Sequence, residues 1–402
     1  MDTQNTPVHP YLWHRGFWKL TIANFLLTFS LYLLVPQLFV DHSQGYGLWP
    51  MAVMTGGYGV GLFVLGPFCN YFIQRYRRNR VCLLSMFLFS LTIFGHYIYR
   101  ENPDFPWTGW ELPLLRIISG AMFGLAQMIL CSTLVIDICE SQHRTQANLV
   151  TAWSGRMAIG LGMSSALFLL HYYPNFNLYI LSASLSILPI LLISMVRFPF
   201  KAPEETAHRI SLDRFFLIKG LPLFFKFLLI SVSVGLYLVQ NGIWSFYAMV
   251  SIGLFFSFCV EYGRPVCRSG KTVICTALLL AIFSVMLLQI IENPVTSSVF
   301  AILLGFSLGC LGNRILLQSI ELSDHCQRGT AQSSYFLTRE VGISLGLILG
   351  YSMPTDSGTH KFALSFIHPV FVACLIALLA LLMFLVFPPS WHVRHKKDKL
   401  HF

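Results

Sequence analysis

The sequence predicts an all-α integral membrane protein with twelve transmembrane helices arranged in two pseudo-symmetric six-helix bundles. Three observations lead to this fold class: the composition, a series of apolar runs and a weak internal repeat. Of the 402 residues, 55% are hydrophobic and only 11% are charged, whereas a soluble globular protein carries about 25% charged residues. This composition excludes ordinary soluble enzymes, disordered proteins and collagen-like chains.

A transmembrane helix requires about 20 mostly apolar residues. Twelve such runs follow one another, at residues 17–40, 48–74, 81–99, 110–137, 147–172, 176–197, 221–241, 243–261, 272–291, 295–321, 330–352 and 362–388. The first run is too long for a signal-peptide core and lacks a small-residue cleavage site, so we expect an uncleaved span. The runs predict a first bundle (1–197), a cytoplasmic linker (198–220), a second bundle (221–388) and a basic cytoplasmic tail (389–402).

Lysine and arginine are distributed unequally between the two sides of the predicted membrane. Of the 27 such residues, twenty fall in the termini and in the loops on their side, whereas the opposite loops hold Arg100 and Lys361. Because cytoplasmic loops are enriched in positive charge, we expect both termini to lie in the cytoplasm and the protein to lie in the cytoplasmic (inner) membrane. The bias also explains the net charge of +10 without a nucleic-acid partner.

The two predicted bundles carry a weak internal repeat. Gly120-x-x-x-Gly124 in the fourth run returns 185 residues later as Gly305-x-x-x-Gly309 in the tenth run. At an offset of 184, five further positions match; the pairs are Asp137 with Glu321, Glu140 with Asp324, Arg144 with Arg328, Ala147 with Ala331, and Gly162 with Gly346. Parallel six-helix repeats related by an axis along the membrane normal are a known transporter architecture.

Two motifs resemble those of the major facilitator superfamily. Arg116-x-x-x-Gly120 is similar to that family's fourth-span motif, and the segment from Gly66 to Arg80 is similar to its glycine–acid–basic loop. The resemblance covers nearly the whole chain and implies two bundles that rock about a central site. In the family, an aspartate of this loop lies against the start of the eleventh span and locks one conformation, whereas this chain carries Asn70.

A charge at the bilayer centre costs roughly 2.5–3.5 kcal/mol on insertion scales, so it should face an aqueous cavity or a partner. Interior charges concentrate in the fourth, fifth, tenth and eleventh runs; they are Arg116, Asp137, Arg156, Arg314, Glu321, Arg339 and Glu340. The third, sixth, ninth and twelfth runs have no interior charge. We therefore expect the former set to line a path and the latter set to face lipid.

Arg156 and Arg339 are the first candidates for a substrate site. Each lies about ten residues into a run that leads away from the cytoplasm, which places it near the midplane, and the repeat makes the two nearly equivalent. Because a guanidinium forks onto carboxylates, two of them in one cavity would suit an anionic substrate. The alternative is that each arginine pairs with an acid or a carbonyl and only holds the halves together.

Glu340 is the predicted proton carrier, since it is the acid nearest the midplane. Adjacent helical side chains point about 100° apart, so Arg339 need not be its partner, and the alternative is a structural ion pair with another helix. The family resemblance implies a coupling or conformational role for Arg116, against the alternative that Arg116 snorkels to the outer interface.

Further polar residues complete the candidate cavity: Arg314, Asn313, Asn24, Gln127, Gln240 and Tyr335. For any one of the neutral side chains, a hydrogen bond between helices is the alternative. We also predict an inner gate in which ion pairs break as the halves rock, formed by Asp137, Glu321, Asn70, Arg75, Arg77 and Arg78. The alternative for the gate is ordinary surface pairing, which contributes little.

Together these features predict a secondary active transporter that moves a small organic solute by alternating access with proton coupling. The aromatic content favours an amphipathic compound, whereas the midplane arginines favour an organic anion. We expect the partners to be the substrate, the bilayer and a proton or other ion gradient, and the protein to be a monomer. No cofactor or metal is expected, because the sequence lacks nucleotide-binding motifs and its ten cysteines form no C-x-x-C pair.

Two other functional classes stay open: a membrane-embedded enzyme that acts on a lipid, and a receptor or scaffold without transport. Neither has a supporting motif. The pair His208-x-x-x-x-Asp213 matches a short acyltransferase signature, but its loop is too small for a catalytic pocket. The glycine-rich stretch at residues 56–61 lies inside an apolar run, so we interpret it as a helix-packing surface rather than a phosphate cradle.

Overall fold

The computed structural model describes residues 11–42, 48–102, 110–198, 208–240, 242–262, 270–290, 293–324, 327–353 and 368–387. Within these ranges the chain is predominantly helical and contains no strand.

We call the helices up to residue 194 the N-terminal half. They are α1 (Arg15–His42), α2 (Leu48–Gly56), α3 (Tyr58–Leu65), α4 (Cys69–Arg75), α5 (Arg78–Glu101), α6 (Glu111–Ile129), α7 (Val135–Asp137), α8 (Arg144–Tyr172) and α9 (Leu178–Ser194). A π-helical segment at Leu130–Leu134 joins α6 to α7, and 3-10 turns occur at Gly66–Phe68 and Ser141–His143.

The C-terminal half follows a 3-10 turn at Ile218–Gly220. Its helices are α10 (Leu221–Gln240), α11 (Trp244–Tyr262), α12 (Gly270–Ile290), α13 (Pro294–Glu321), α14 (Arg328–Ser352) and α15 (Pro369–Val386).

Each predicted run coincides, within the described residues, with one helix or with consecutive helices. By length and composition, eight helical segments of this described part are long and apolar enough to cross a membrane; they are Arg15–Val40, Arg78–Glu101, Glu111–Asp137, Ile218–Val239, Trp244–Tyr262, Gly270–Ile290, Pro294–Glu321 and Pro369–Val386. The apolar helix α9 is shorter, with 17 residues. The count of twelve spans and the cytoplasmic position of the termini stay predictions.

The second predicted run is divided into shorter helices, and its glycines pack closely against neighbours. Gly57 separates α2 from α3, and a turn that contains Pro67 separates α3 from α4. A methyl group added at Gly120 of α6 would overlap the carbonyl oxygen of Tyr58, so α3 and α6 meet backbone to backbone. This close contact agrees with the interpretation of residues 56–61 as a packing surface.

The same close contact recurs in the C-terminal half. A methyl group added at Gly305 of α13 would overlap the carbonyl oxygen of Val250 on α11. Gly120 and Gly305 are the pair related by the offset of 185 residues in the sequence. The repeat in the sequence is therefore also a repeat in helix packing.

The halves meet mainly through α8 and α14. The Ser344 hydroxyl of α14 donates a hydrogen bond to the carbonyl oxygen of Gly56 in α2. The Trp153 indole of α8 donates to the carbonyl oxygen of Leu254 in α11 at 3.0 Å. These contacts bring the helices that carry Arg156 and Arg339 into the middle of the molecule.

The described part of the central linker, residues 208–217, joins the halves at one face, which we call the linker face. The backbone N–H of Ser211 donates to the carbonyl oxygen of Pro67 at 3.0 Å, in the N-terminal half. The backbone N–H of Leu217 donates to the hydroxyl of Ser334 at 2.7 Å, in the C-terminal half. The linker is thus held by both halves.

Arg214 and Phe215 fix the middle of this linker segment. Arg214 has a φ of 61°, which is uncommon for a residue with a side chain. Its backbone N–H donates to the Thr330 hydroxyl at 3.0 Å, and its guanidinium donates to the Ser132 carbonyl at 3.3 Å. The buried Phe215 ring packs on Gly66, at the end of α3.

Candidate substrate cavity and buried ion network

A cavity of about 140 Å³ lies inside the C-terminal half. Residues of all six C-terminal helices line it, together with Arg156, Ile159 and Gly160 of α8. The two charged side chains of the lining are Arg156 and Arg339, and most of the other lining groups are aliphatic or aromatic. The structure therefore places the two predicted arginines in one cavity, on the side of the N-terminal half.

Arg156 reaches from α8 into the C-terminal half. Its Nη1 donates to the Tyr335 hydroxyl at 2.6 Å, and its Nη2 donates to the side-chain oxygen of Asn313. The side chain is 7% exposed and lies against Gly312, where an added methyl group would be 2.8 Å from Cζ. These partners hold the guanidinium at the wall of the cavity.

A short polar chain continues from Arg156 away from the cavity. Asn313 donates through its side-chain amide to Glu261 at the end of α11. Arg314 Nε lies 3.7 Å from the other oxygen of Glu261. Asn313 and Arg314, both predicted to line the cavity, thus stand behind Arg156 rather than in the lining. Glu261 was not among the predicted site residues, because the sequence shows it only as an acid at the end of an apolar run.

Arg339 pairs with its own neighbour in the chain. Its Nε and Nη2 donate to Oε1 of Glu340 at 2.9 and 2.6 Å. The long side chains curve toward each other although the two Cα–Cβ bonds diverge along the helix. The ion pair of Arg339 with Glu340 is therefore formed, although helical geometry alone did not require it. Glu340 is fully buried.

Two tyrosines of the N-terminal half hold the other oxygen of Glu340. The Tyr32 hydroxyl donates to Oε2 at 2.7 Å, the Tyr58 hydroxyl lies 3.5 Å from the same atom, and the two hydroxyls are 3.0 Å apart. These tyrosines were not among the predicted site residues. The sequence gives only a weak signal for them, because a buried tyrosine hydroxyl needs a partner but the sequence does not show which one.

Arg116 continues this network on α6. Its side chain is completely buried, its Nη2 donates to the Thr55 carbonyl at 3.2 Å, and its Cζ lies 5.1 Å from the centroid of the Tyr58 ring. Nε and Nη1 have no hydrogen-bond partner among the described residues. The guanidinium of Arg116 is thus enclosed by protein rather than exposed at the protein surface.

Asn24 and Gln127 belong to a polar cluster inside the N-terminal half. The Asn24 amide donates to the Thr151 carbonyl at 2.8 Å and to the Ser154 hydroxyl at 2.9 Å, and Gln127 donates to the Asn24 side-chain oxygen. Neither residue lines the cavity of the C-terminal half. The side chain of Gln240, the remaining cavity candidate, lies outside the described residues.

The predicted gate residues lie near the linker face. Arg78 at the start of α5 forms an ion pair with Asp137 at the end of α7. Both belong to the N-terminal half, so relative motion of the halves would not break this pair, in contrast to the expectation for the gate. The other gate candidates are Asn70, which is buried, and Arg75, Arg77 and Glu321; their role stays a prediction.

The sequence profile of the Major Facilitator Superfamily matches residues 18–347. A search of curated proteins finds no match. The crystal structure of the human organic anion transporter MFSD10 (TETRAN) is similar, with 14% identity over 92% of this chain and 99% of that chain and a TM-score of 0.65.

A second similar structure is that of a bacterial homologue of the iron transporter ferroportin in its outward-facing state. It is 16% identical over 92% of this chain and 99% of that chain, with a TM-score of 0.61. At these identities the two structures show a shared fold. Because the family profile also spans most of the sequence, the chain belongs to the Major Facilitator Superfamily.

Proposed function

We propose that this protein is a secondary active transporter of an amphipathic organic anion, that it works by alternating access and that it is coupled to protons. The single observation that carries the proposal is the cavity in which Arg156 and Arg339 are the charged groups of a mostly apolar lining. The organic anion transporter among the similar structures supports the same class of substrate.

The arginines supply the anion site in this proposal. A carboxylate can accept two parallel hydrogen bonds from one guanidinium. Arg156 now donates to the neutral Tyr335 hydroxyl, which a charged carboxylate would replace as the stronger acceptor. Arg339 is neutralised by Glu340, so a substrate carboxylate competes with Glu340 for the same guanidinium.

This competition links anion binding to proton binding. Glu340 is fully buried, and a buried carboxylate without its cationic partner strongly destabilises a protein. When the substrate pairs with Arg339, protonation of Glu340 neutralises its carboxylate and removes this cost. The groups that face Glu340 are Arg339, Tyr32 and Tyr58, with Arg116 behind the Tyr58 ring. We infer that anion and proton bind together and are carried together.

Alternating access follows from the position of these groups between the halves. The halves hold each other through Arg156 and, at the linker face, through residues 208–217. Rocking of six-helix halves about a midplane site is a known transporter motion. In this proposal the linker face is cytoplasmic.

A binding screen tests the proposal and narrows the substrate class at the same time. A thermal-shift screen of the purified protein against metabolites and drugs should find organic anions that raise the apparent melting temperature, since a ligand of the folded state stabilises it. Arg156→Gln and Arg339→Gln should each remove that shift. Lys219→Gln, which removes a charge from an exposed surface pair with Asp324, is the matched control and should keep it.

Two outcomes would contradict the proposal. Equal shifts in wild type and in both arginine variants would show that the cavity arginines do not bind the anion. Turnover of a bound lipid, or binding without any transport, would favour the enzyme or the receptor class instead.

A further inference from the structure

The cavity has a long apolar part that the anion site does not use. We propose that the transported anion is a single-chain amphiphile, a carboxylate with an unbranched apolar tail, and that the tail lies inside the C-terminal half. This inference rests on the proposed function and adds the shape of the substrate. Three features of the lining support it.

The first feature is length. On α10 the lining extends from Phe227 to Leu238, and eleven residues of helix rise about 16 Å. On α12 it extends from Leu278 to Val285. The lining thus extends over two to three turns of each of these helices, which gives an apolar tail room beside the arginines.

The second feature is the state of the hydroxyl groups along this length. The Tyr247 hydroxyl donates to the Leu238 carbonyl at 2.6 Å, and the Ser233 hydroxyl donates to the Ile230 carbonyl at 2.7 Å. Both hydroxyls are thus engaged with the backbone, whereas Oγ of Ser231, which also belongs to the lining, has no hydrogen-bond partner among the described residues. Because the rest of the lining is mostly apolar, it fits a hydrocarbon tail better than a sugar or a peptide.

The third feature is the presence of small side chains on the side away from the arginines. Ala281 of α12 and Ala373 and Ala377 of α15 line the cavity there and are buried. Small residues leave room for a methylene chain between helices. Charged groups on the side of α8 and α14 and an apolar wall on α12 and α15 fit an amphiphile with one tail.

A chain-length series tests the inference directly. The probes are sodium salts of saturated straight-chain carboxylates from butanoate to dodecanoate. Their binding is measured by calorimetry with the protein in nanodiscs and with empty nanodiscs as the partition blank. Each buried methylene contributes about 0.8 kcal/mol, so Kd should fall about fourfold for each added carbon until the cavity is filled. Beyond that length the affinity should stop rising.

Variants of the lining should move the preferred chain length. Ala281→Phe shortens the cavity and should shift the optimum to shorter carboxylates. Val285→Ala enlarges the cavity and should shift the optimum to longer carboxylates. This variant serves as the test if Ala281→Phe does not fold. Leu279→Phe is the matched control on the same helix, because Leu279 is 54% exposed and is not in the lining; its optimum should equal that of wild type.

The outcomes separate this inference from the proposed function. If Kd does not depend on chain length while Arg339→Gln still abolishes binding, the tail site is wrong and the anion site stands. If the optimum moves in neither Ala281→Phe nor Val285→Ala, the tail site is also wrong. If all carboxylates bind equally well to the arginine variants, the proposed function itself is overturned.

Discussion

The guanidinium of Arg339 lies against Gly155, the residue that precedes Arg156 in the opposite half of the molecule. A methyl group added at Gly155 would be 3.2 Å from Nη1 of Arg339. Arg156 in turn reaches Asn313 and Tyr335 of the C-terminal half. The two arginines thus cross the interface in opposite directions, so a ligand that binds both also contacts both halves.

Gly312→Ala should weaken anion binding. The added methyl group would lie 2.8 Å from Cζ of Arg156, so the guanidinium must move from its place at the cavity wall. Loss of one hydrogen bond between the guanidinium and the anion costs about 1.5 kcal/mol or more, so Kd should rise about tenfold or more. Calorimetric titration measures it. Gly242→Ala is the control, because nothing lies within 4 Å of a methyl group there, and an equal loss of affinity in this control would contradict the account.

Glu340→Gln should remove the pH dependence of anion binding and accumulation. Wild type should bind the anion more tightly as pH falls, because a proton on Glu340 frees Arg339 for the substrate. Glutamine keeps the shape but neither charges nor titrates, so affinity should become nearly constant with pH. The measurement is Kd and proteoliposome uptake between pH 5 and 8. Asp324→Asn, on the exposed surface, is the control; an unchanged pH profile in Glu340→Gln would exclude proton coupling through this residue.

Tyr32→Phe should destabilise the protein more than Tyr58→Phe does. The Tyr32 hydroxyl lies 2.7 Å from Oε2 of Glu340, whereas the Tyr58 hydroxyl lies 3.5 Å from it. Removal of one partner from a buried charged group costs about 1–3 kcal/mol. Equilibrium unfolding in mixed micelles compares the two variants. The reverse order of stability would show that Tyr58 rather than Tyr32 is the main partner of the carboxylate.

Phe215→Ala should loosen the linker face. The ring is 5% exposed and covers Gly66 at the end of α3. Cys69, three residues further on, is buried and should become accessible when the linker detaches. A variant that keeps only this cysteine reports the opening. If the free energy that favours the closed linker falls by about 1.4 kcal/mol, the rate of maleimide labelling of Cys69 should rise about tenfold. Leu212→Ala, at an exposed position of the same linker, should label at the original rate, and equal rates in all three proteins would mean that Phe215 does not hold the face closed.

Much of the helical framework could be predicted from the sequence, because apolar runs and glycine spacing report directly on helix position and packing. Gly120 and Gly305, which the repeat in the sequence pairs, both meet a neighbouring backbone. The joint position of Arg156 and Arg339 was predictable for a similar reason, since the cost of a buried charge restricts where it can face.

The partners of these charges could not be predicted. Successive residues of a helix point about 100° apart. A small error in the predicted rotation of a helix about its axis therefore replaces one contacting side chain by another. Tyr32 and Tyr58 lie about 300 residues from Glu340 in the chain, and no spacing relates them. The ion pair of Arg78 with Asp137 shows the same limit: charge complementarity was visible, but not that these two side chains would pair with each other within one half.

The most direct measurement of the central claim is counterflow in proteoliposomes. Vesicles loaded with a straight-chain carboxylate that binds the purified protein would take up the labelled compound against its gradient. Wild type and Lys219→Gln should accumulate the label, whereas Arg156→Gln and Arg339→Gln should not, at equal amounts of folded protein. Accumulation that is undiminished in both arginine variants would contradict the assignment of the substrate site to these two side chains.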